Sequence, residues 1–372
     1  MVKPSPVLDG LRGTASIVIL VLHFLVGLER EYIIPHAGLA VDFFFMLSGY
    51  CITSYYAAQA SSQVSGRKLF LVRAANYYPA ILLGLALGFS VYLLKVSMLA
   101  ESVNWIVVAI NLALSVFLVP SPFALTDTWD FIYPFNGVTW SIMAELSMVF
   151  LFGAFFVNMR KSLLVILVIA GAAAATYQCF VFGAVTGGMN WSHIGDHSHH
   201  YMATVAGFSL PLPVFIPLAL VRAFFPFFCG VLIYRCFSCR LGVGGIYAVI
   251  PHFLLAAVLL TSLPVSRWIY ESIAITIIFP IILMWGSLAH AGDRYTRICH
   301  WLGNIAYPLY LTHYPLVIVF SYLIRKSGDR VPLSLWIAVE FVVCVAFARL
   351  VFLVVDNRFR RKVLPRFASA VD

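Results

Sequence analysis

The chain has 372 residues, 62% hydrophobic and 10% charged, with a mean hydropathy of +0.96, whereas a soluble domain carries roughly a quarter charged residues. That balance excludes a soluble globular enzyme and describes an integral membrane protein in a lipid bilayer. The net charge of +9 does not point to nucleic acid, because in a membrane protein an excess of Lys and Arg marks cytoplasmic loops.

A spanning helix needs about 20 apolar residues. Read in chain order, the candidate segments are 14–34, 37–57, 77–98, 103–119, 138–157, 162–184, 213–236, 244–264, 268–288, 303–325 and 333–355. The first 28 residues have a basic start and an apolar run like a signal peptide. No small-residue cleavage site precedes Leu28-Glu29-Arg30-Glu31, so the run reads as a retained helix. Basic residues at Lys3, Arg12, Arg67, Lys68 and Arg73, and again at Arg160, Lys161, Arg235, Arg240, Arg294, Arg297 and the tail from Arg358 to Arg366, all call for the cytoplasmic side. Eleven crossings would separate the two ends. The segment 103–119 is short and carries Asn104 and Asn111, so it is expected to re-enter rather than cross. The expected architecture is an all-α, polytopic transmembrane helix bundle of about ten crossings with both termini cytoplasmic and the loops 120–137 and 185–212 facing outward. It forms a single domain over 1–372 with its core at 7–355, and no soluble C-terminal domain is expected.

Within the first segment, Arg12 and His23 lie eleven positions apart. That is close to three helical turns, which puts both side chains on one face about 16 Å apart along the axis. A histidine so deep in an apolar helix is costly unless something uses it. The second segment holds Asp42-Phe43-Phe44-Phe45-Met46-Leu47-Ser48-Gly49-Tyr50, and the third is preceded by Arg73-Ala74-Ala75-Asn76. Further on come Asn136-Gly137-Val138-Thr139-Trp140-Ser141-Ile142-Met143-Ala144-Glu145 and Tyr307-Pro308-Leu309-Tyr310-Leu311-Thr312-His313. His313 stands one turn after Tyr310, where a structural hydrogen bond and a functional contact are equally open. Between Trp191 and His200 four histidines and an aspartate crowd together. Such tracts are commonly solvated loops, and no metal site is expected. With Asp127, Trp129 and Asp130 this loop reads as an outward acceptor-binding rim, since tryptophan faces stack on sugar rings. The lone CxxC of Cys236 and Cys239 has no second pair, and the seven cysteines form no disulfide framework.

Taken together these runs resemble the membrane acyltransferase-3 family of bacterial integral-membrane O-acyltransferases. The family's LDGLRG with arginine, ten residues and histidine is matched by Arg12 and His23. Its D-x-F-F-x-x-S-G-[FY] is matched from Asp42 to Tyr50, its W-S-[LI]-x-x-E from Trp140 through Ser141 to Glu145, and its Y-x-x-Y-L-x-H from Tyr307 to His313. The order is the family's and the resemblance spans about residues 7–355. The chain departs at the paired arginines R-x-x-R-x-x-P, keeping Arg73 but carrying Asn76 at the second position.

The resemblance implies transfer of an acyl group, acetyl by default, from acetyl-CoA or another acyl-CoA to a hydroxyl of an envelope, exported or lipid-linked carbohydrate at the bacterial inner membrane. The residues accommodate that chemistry. A hydroxyl attacking a thioester needs a base, and a neutral imidazole serves. His23 is expected either to act as that base or to be transiently acylated itself. Arg12 and Arg73 suit the donor phosphates, since a guanidinium grips phosphate bidentately. Glu145 is expected to orient His23 or hold the incoming hydroxyl. Asp9 and Asp42 are expected to pair with the arginines, and Ser48 and Tyr310 to donate to the developing oxyanion. A continuous polar tunnel lined by Arg12, His23, Arg73 and Glu145 should then run to an outer mouth near Trp129 and Trp191. Intramembrane Arg, His, Glu and Asp residues also suit a proton-coupled transporter or polysaccharide exporter; the absence of an internal repeat argues against that alternative.

Overall fold

The structure, a computed structural model, describes residues 5–58, 65–99, 102–126, 129–187, 189, 203–205, 208–210, 212–237, 245–356, 358–359 and 363. The histidine tract 191–200, Trp191 and Asp127 lie outside the described residues. The fold is a bundle of α-helices: α1 Pro6–Gly27, α2 Ala40–Ala58, α3 Gly66–Leu99, α4 Trp105–Val116, α5 Thr139–Leu151, α6 Lys161–Phe182, α7 Leu212–Cys236, α8 Ile250–Leu260, α9 Arg267–Ile273, α10 Phe279–Leu288, α11 Asp293–Ser327 and α12 Leu333–Val351. One short antiparallel hairpin pairs Ala203–Val205 with Phe208–Leu210. Among the described residues nine helices are long and apolar enough to cross a membrane, with α9 and α10 counted as one continuous span, Arg267–Leu288.

Helix α1 begins eight residues earlier than the hydropathy reading placed it. Ser5 caps it by accepting from the Val7 N–H, Pro6 opens the first turn, and the Ser5 hydroxyl donates to the Ala289 carbonyl at 2.8 Å. Arg12 is therefore inside the helix. Helices α3 and α11 likewise start earlier than expected and take Arg73 and Asp293–Leu302 into the helix. Apolar driving force does not hold helices together in lipid, so small residues set the contacts. Gly10 and Gly13 of α1 lie against Cys299 and Leu302 of α11, and Gly49 of α2 lies against the Phe227 backbone of α7.

Contacts trace which ends of the helices lie together. At one end Ser5 meets Ala289, Gly66 meets Gly153, and Arg235 donates to the carbonyls of Phe156, Val157 and Met159. At the other, Arg325 donates to Gly27 O, and Arg267 donates to Pro35 O. The first end carries Arg67, Lys68, Arg160, Lys161, Arg235, Arg294 and Arg297; it is called the basic end below.

Two of the eleven segments give helices shorter than the long spans. Segment 103–119 yields only α4, about 18 Å long, whose end lies at Tyr78, the Tyr78 hydroxyl donating to Val116 O at 3.2 Å. The chain then turns back at Leu118, which has φ 60°, as expected of a re-entrant piece. Segment 244–264 gives a helix shorter than its hydropathy led one to expect. Gly245, with φ 69°, and a 3-10 turn at Gly245–Ala248 delay the helix, and α8 spans about 16 Å. It still runs from Gly10, where His252 packs, toward Tyr270, whose hydroxyl donates to Val258 O. With α8 as a short passage, the described residues pass between the two ends ten times, and α1 starts at the end where α12 finishes.

Candidate active site

Two adjoining cavities lie inside the bundle. The first, about 50 Å³, is lined by Arg12, Ser16, Ser48, Arg73, Tyr77, Ser141, Glu145, Tyr307 and Tyr310 among others. The second, about 330 Å³, is lined by His23, Tyr133, Trp140, Arg222, Tyr310 and Tyr314 with a mostly apolar remainder. Val41 and Tyr310 belong to both walls. Arg12 and His23 share α1, so the first cavity lies toward the basic end and the second about 16 Å further along. The expected tunnel is thus two chambers meeting at Tyr310, against which Phe44 packs edge-on at 5.5 Å.

In the first chamber Glu145 Oε1 accepts from Ser48 at 2.5 Å, Tyr77 at 2.5 Å and Arg73 Nη2 at 2.8 Å. Glu145 is therefore Arg73's partner and does not orient His23, which corrects the expectation. Helix α5 sets it at the level of Arg73 rather than of His23. The Ser48 proton is held by Glu145, and its oxygen accepts from Arg73 at 3.2 Å, so Ser48 builds the arginine's seat rather than an oxyanion hole. Arg73 stacks over Tyr77 at 4.5 Å, and among the described residues its buried Nε has no hydrogen-bond partner. A buried guanidinium N–H left open is unusual and points to a missing acceptor. Arg12 pairs with Asp9 at 3.4 Å, as expected, and Asp9 also meets His300 at 3.1 Å.

The second chamber holds His23. His313 Nδ1 donates to Leu309 O at 2.9 Å, since a carbonyl only accepts. A neutral His313 then offers a bare Nε2, 2.9 Å from His23 Nδ1. His23 Nδ1 accordingly carries a proton, directed between His313 Nε2 and Ile19 O at 3.1 Å. The tautomer follows from these partners. His23 Nε2 is left as an unprotonated acceptor, and the ring lines the chamber. Local sequence explains the aim of His313. Pro315 has no N–H to give Leu311, and Asn136 fills that vacancy, its Nδ2 donating to Leu311 O at 2.8 Å. The proline-containing stretch of α11 that carries Tyr310 and His313 is thereby fixed to the start of α5.

Asp42 is buried and pairs with neither expected arginine. It accepts from Arg222 Nε at 3.0 Å and Nη2 at 2.7 Å, while Nη2 also donates to Gly38 O at 3.0 Å. Trp140 lies 5.1 Å from the same guanidinium. Arg222 was missed by the sequence reading. Its signal was an unaccompanied arginine in the otherwise apolar segment 213–236, and such residues usually face a cavity or a partner. Tyr310 meets Ser141 at 2.6 Å, and Ser141 donates to Val138 O at 3.0 Å. Trp129 is no rim residue. It is 4% exposed, and its indole donates to Pro134 O at 2.7 Å. Among the described residues no three His, Cys, Asp or Glu side chains gather as metal ligands.

The class these features define is a polytopic membrane protein with a cluster of ionisable side chains enclosed by its helices. The chain belongs to the acyltransferase-3 family, whose model, described as an acyltransferase domain, matches residues 6–354. No curated protein and no solved structure matches it.

Proposed function

We propose that the protein is an O-acyltransferase of the bacterial inner membrane, with both termini in the cytoplasm, which moves an acyl group, acetyl by default, from acyl-CoA to a hydroxyl of an envelope, exported or lipid-linked carbohydrate. The observation that carries this reading is the orientation of His23, held by His313 with its bare Nε2 at a chamber adjoining the arginine-lined one. The donor reaches in from the basic end, where Arg12 and Arg73 hold its anionic groups and Glu145, Ser48 and Tyr77 fix Arg73. The acceptor occupies the larger chamber. His23 Nε2 takes the hydroxyl proton as the oxygen attacks the thioester carbonyl. The new C–O bond forms, the C–S bond breaks, and the imidazolium returns the proton to the departing CoA thiolate. Tyr310 stands at the wall between the chambers with its proton given to Ser141, so it shapes the passage rather than forming an oxyanion hole. The basic end faces the cytoplasm because positive residues collect there.

The test is a thiol-release assay on purified protein in nanodiscs, with acetyl-CoA and extracted envelope glycan, and mass spectrometry of the glycan. Acetyl-ester formation that depends on His23 supports the reading. Turnover unchanged in His23→Ala overturns it.

A further inference from the structure

The acceptor chamber contains a charge that the transfer chemistry does not require. Arg222 lines it, is 2% exposed overall, and stands in the middle of an apolar helix. Its Nε and one face of Nη2 are taken by Asp42, and Nη2 also bonds Gly38 O. Its Nη1 has no hydrogen-bond partner among the described residues. The pair is buried on both sides, with the Asp42 side chain at 0% and that of Arg222 at 1% exposure. The remaining lining is neutral: His23 by the tautomer above, Thr186, four aromatic side chains with a polar atom (Tyr133, Trp140, Tyr310, Tyr314) and aliphatic groups. Burial holds the Tyr133 phenol well above its usual range, so it too stays uncharged.

We propose that Arg222 binds the acceptor through Nη1, and that Asp42 cancels its charge so that the chamber selects a neutral, ring-bearing polyhydroxy acceptor over an anionic one. The claim rests on the acyl-transfer reading and narrows its acceptor. A charge-compensated guanidinium still donates a hydrogen bond to a hydroxyl or ether oxygen. It offers no net charge to offset the desolvation of a carboxylate. The aromatic walls supply apolar contact for a ring face, with polar edges for its hydroxyls. The cavity of about 330 Å³ stands at the small end of ligand sites, which suits one ring unit at a time.

The experiment uses the full chain in nanodiscs with acetyl-CoA and matched pairs of methyl glycosides, each hexoside beside its uronic acid, and reads products by mass spectrometry and thiol release. The expected result is O-acetyl product in the neutral series only. Asp42→Asn frees the Arg222 charge and should gain product on uronosides by about tenfold or more, the size of a charged hydrogen bond. Should that variant fail to fold, the pair Asp42→Asn with Arg222→Gln removes both charges together. It should raise KM for neutral glycosides while leaving the KM for acetyl-CoA unchanged. Acylation of uronosides by the wild type, or neutral-glycoside KM unchanged in the double variant, would overturn the assignment. Thiol release with no glycoside product overturns the ring-bearing acceptor while the donor half of the acyl-transfer reading stands. No thiol release with any acceptor, envelope glycan included, means that the acyl-transfer reading itself has failed.

Discussion

At the scale of single residues, the proposed chemistry depends on one imidazole whose proton is placed by another. His23→Ala removes the base and should lower transfer by about 10²–10⁴-fold while membrane insertion is retained; the check is thiol release beside expression level in the membrane fraction. His313→Ala should lower kcat without changing the affinity for acyl-CoA, because His23 Nδ1 then has only Ile19 O to direct its proton. The distinguishing readout is the split between kcat and donor KM, with partial rescue in His313→Gln, whose side-chain oxygen can accept from Nδ1. Arg73→Lys should weaken acyl-CoA binding. A lysine cannot hold Glu145 and Ser48 while also presenting a free N–H in the manner of the guanidinium fork; isothermal titration with acetyl-CoA measures this. Unchanged donor affinity in both Arg12→Ala and Arg73→Ala would locate the donor elsewhere.

At the scale of elements, the candidate site's geometry depends on close approaches between helices and on the turn that leads into α5. The residues before α5 enter the bundle and meet α3 and α11 where Gly84 stands. A Cβ at Gly84 would collide with Leu311 O and with Asn136 Nδ2. Gly84→Ala should therefore force α3 away from α11 and loosen the Asn136 bond to Leu311 O below His313. The expected cost is about 1–3 kcal/mol of stability, read as a lower thermal midpoint in detergent, with a loss of activity larger than the loss of folded protein. Wild-type activity at an unchanged midpoint would show that this close approach is dispensable. Asn136→Ala should act in the same direction, because it leaves Leu311 O without a partner inside the bundle.

At the scale of the whole molecule, the ten passages among the described residues bring α12 back to the end where α1 began. A cysteine replacing Tyr32, which is 72% exposed at the end opposite the basic one, should react with a membrane-impermeant reagent from outside the cell. A cysteine replacing Lys161 at the basic end should react only after permeabilisation. Both belong in a background with Cys236 and Cys239 changed to serine. The reverse pattern at either position would invert or miscount the bundle.

Much of this protein was legible in its residues. Membrane residence follows from composition, because 62% hydrophobic residues leave no way to cover the chain with water. The even number of passages was readable because basic residues mark one face of a bilayer, and the re-entrant 103–119 because polar residues and short length disfavour crossing. The spacing of Arg12 and His23 placed them along one helix face, since helical period depends only on local geometry. What the tertiary structure alone decided is who meets whom across helices. Glu145 with Arg73, Asp42 with Arg222 and His23 with His313 are pairs 72, 180 and 290 residues apart in sequence. Nothing local distinguishes one buried carboxylate's arginine from another's. That choice is made by helix packing, where small residues let chosen backbones approach and bring these buried charges beside their counterparts.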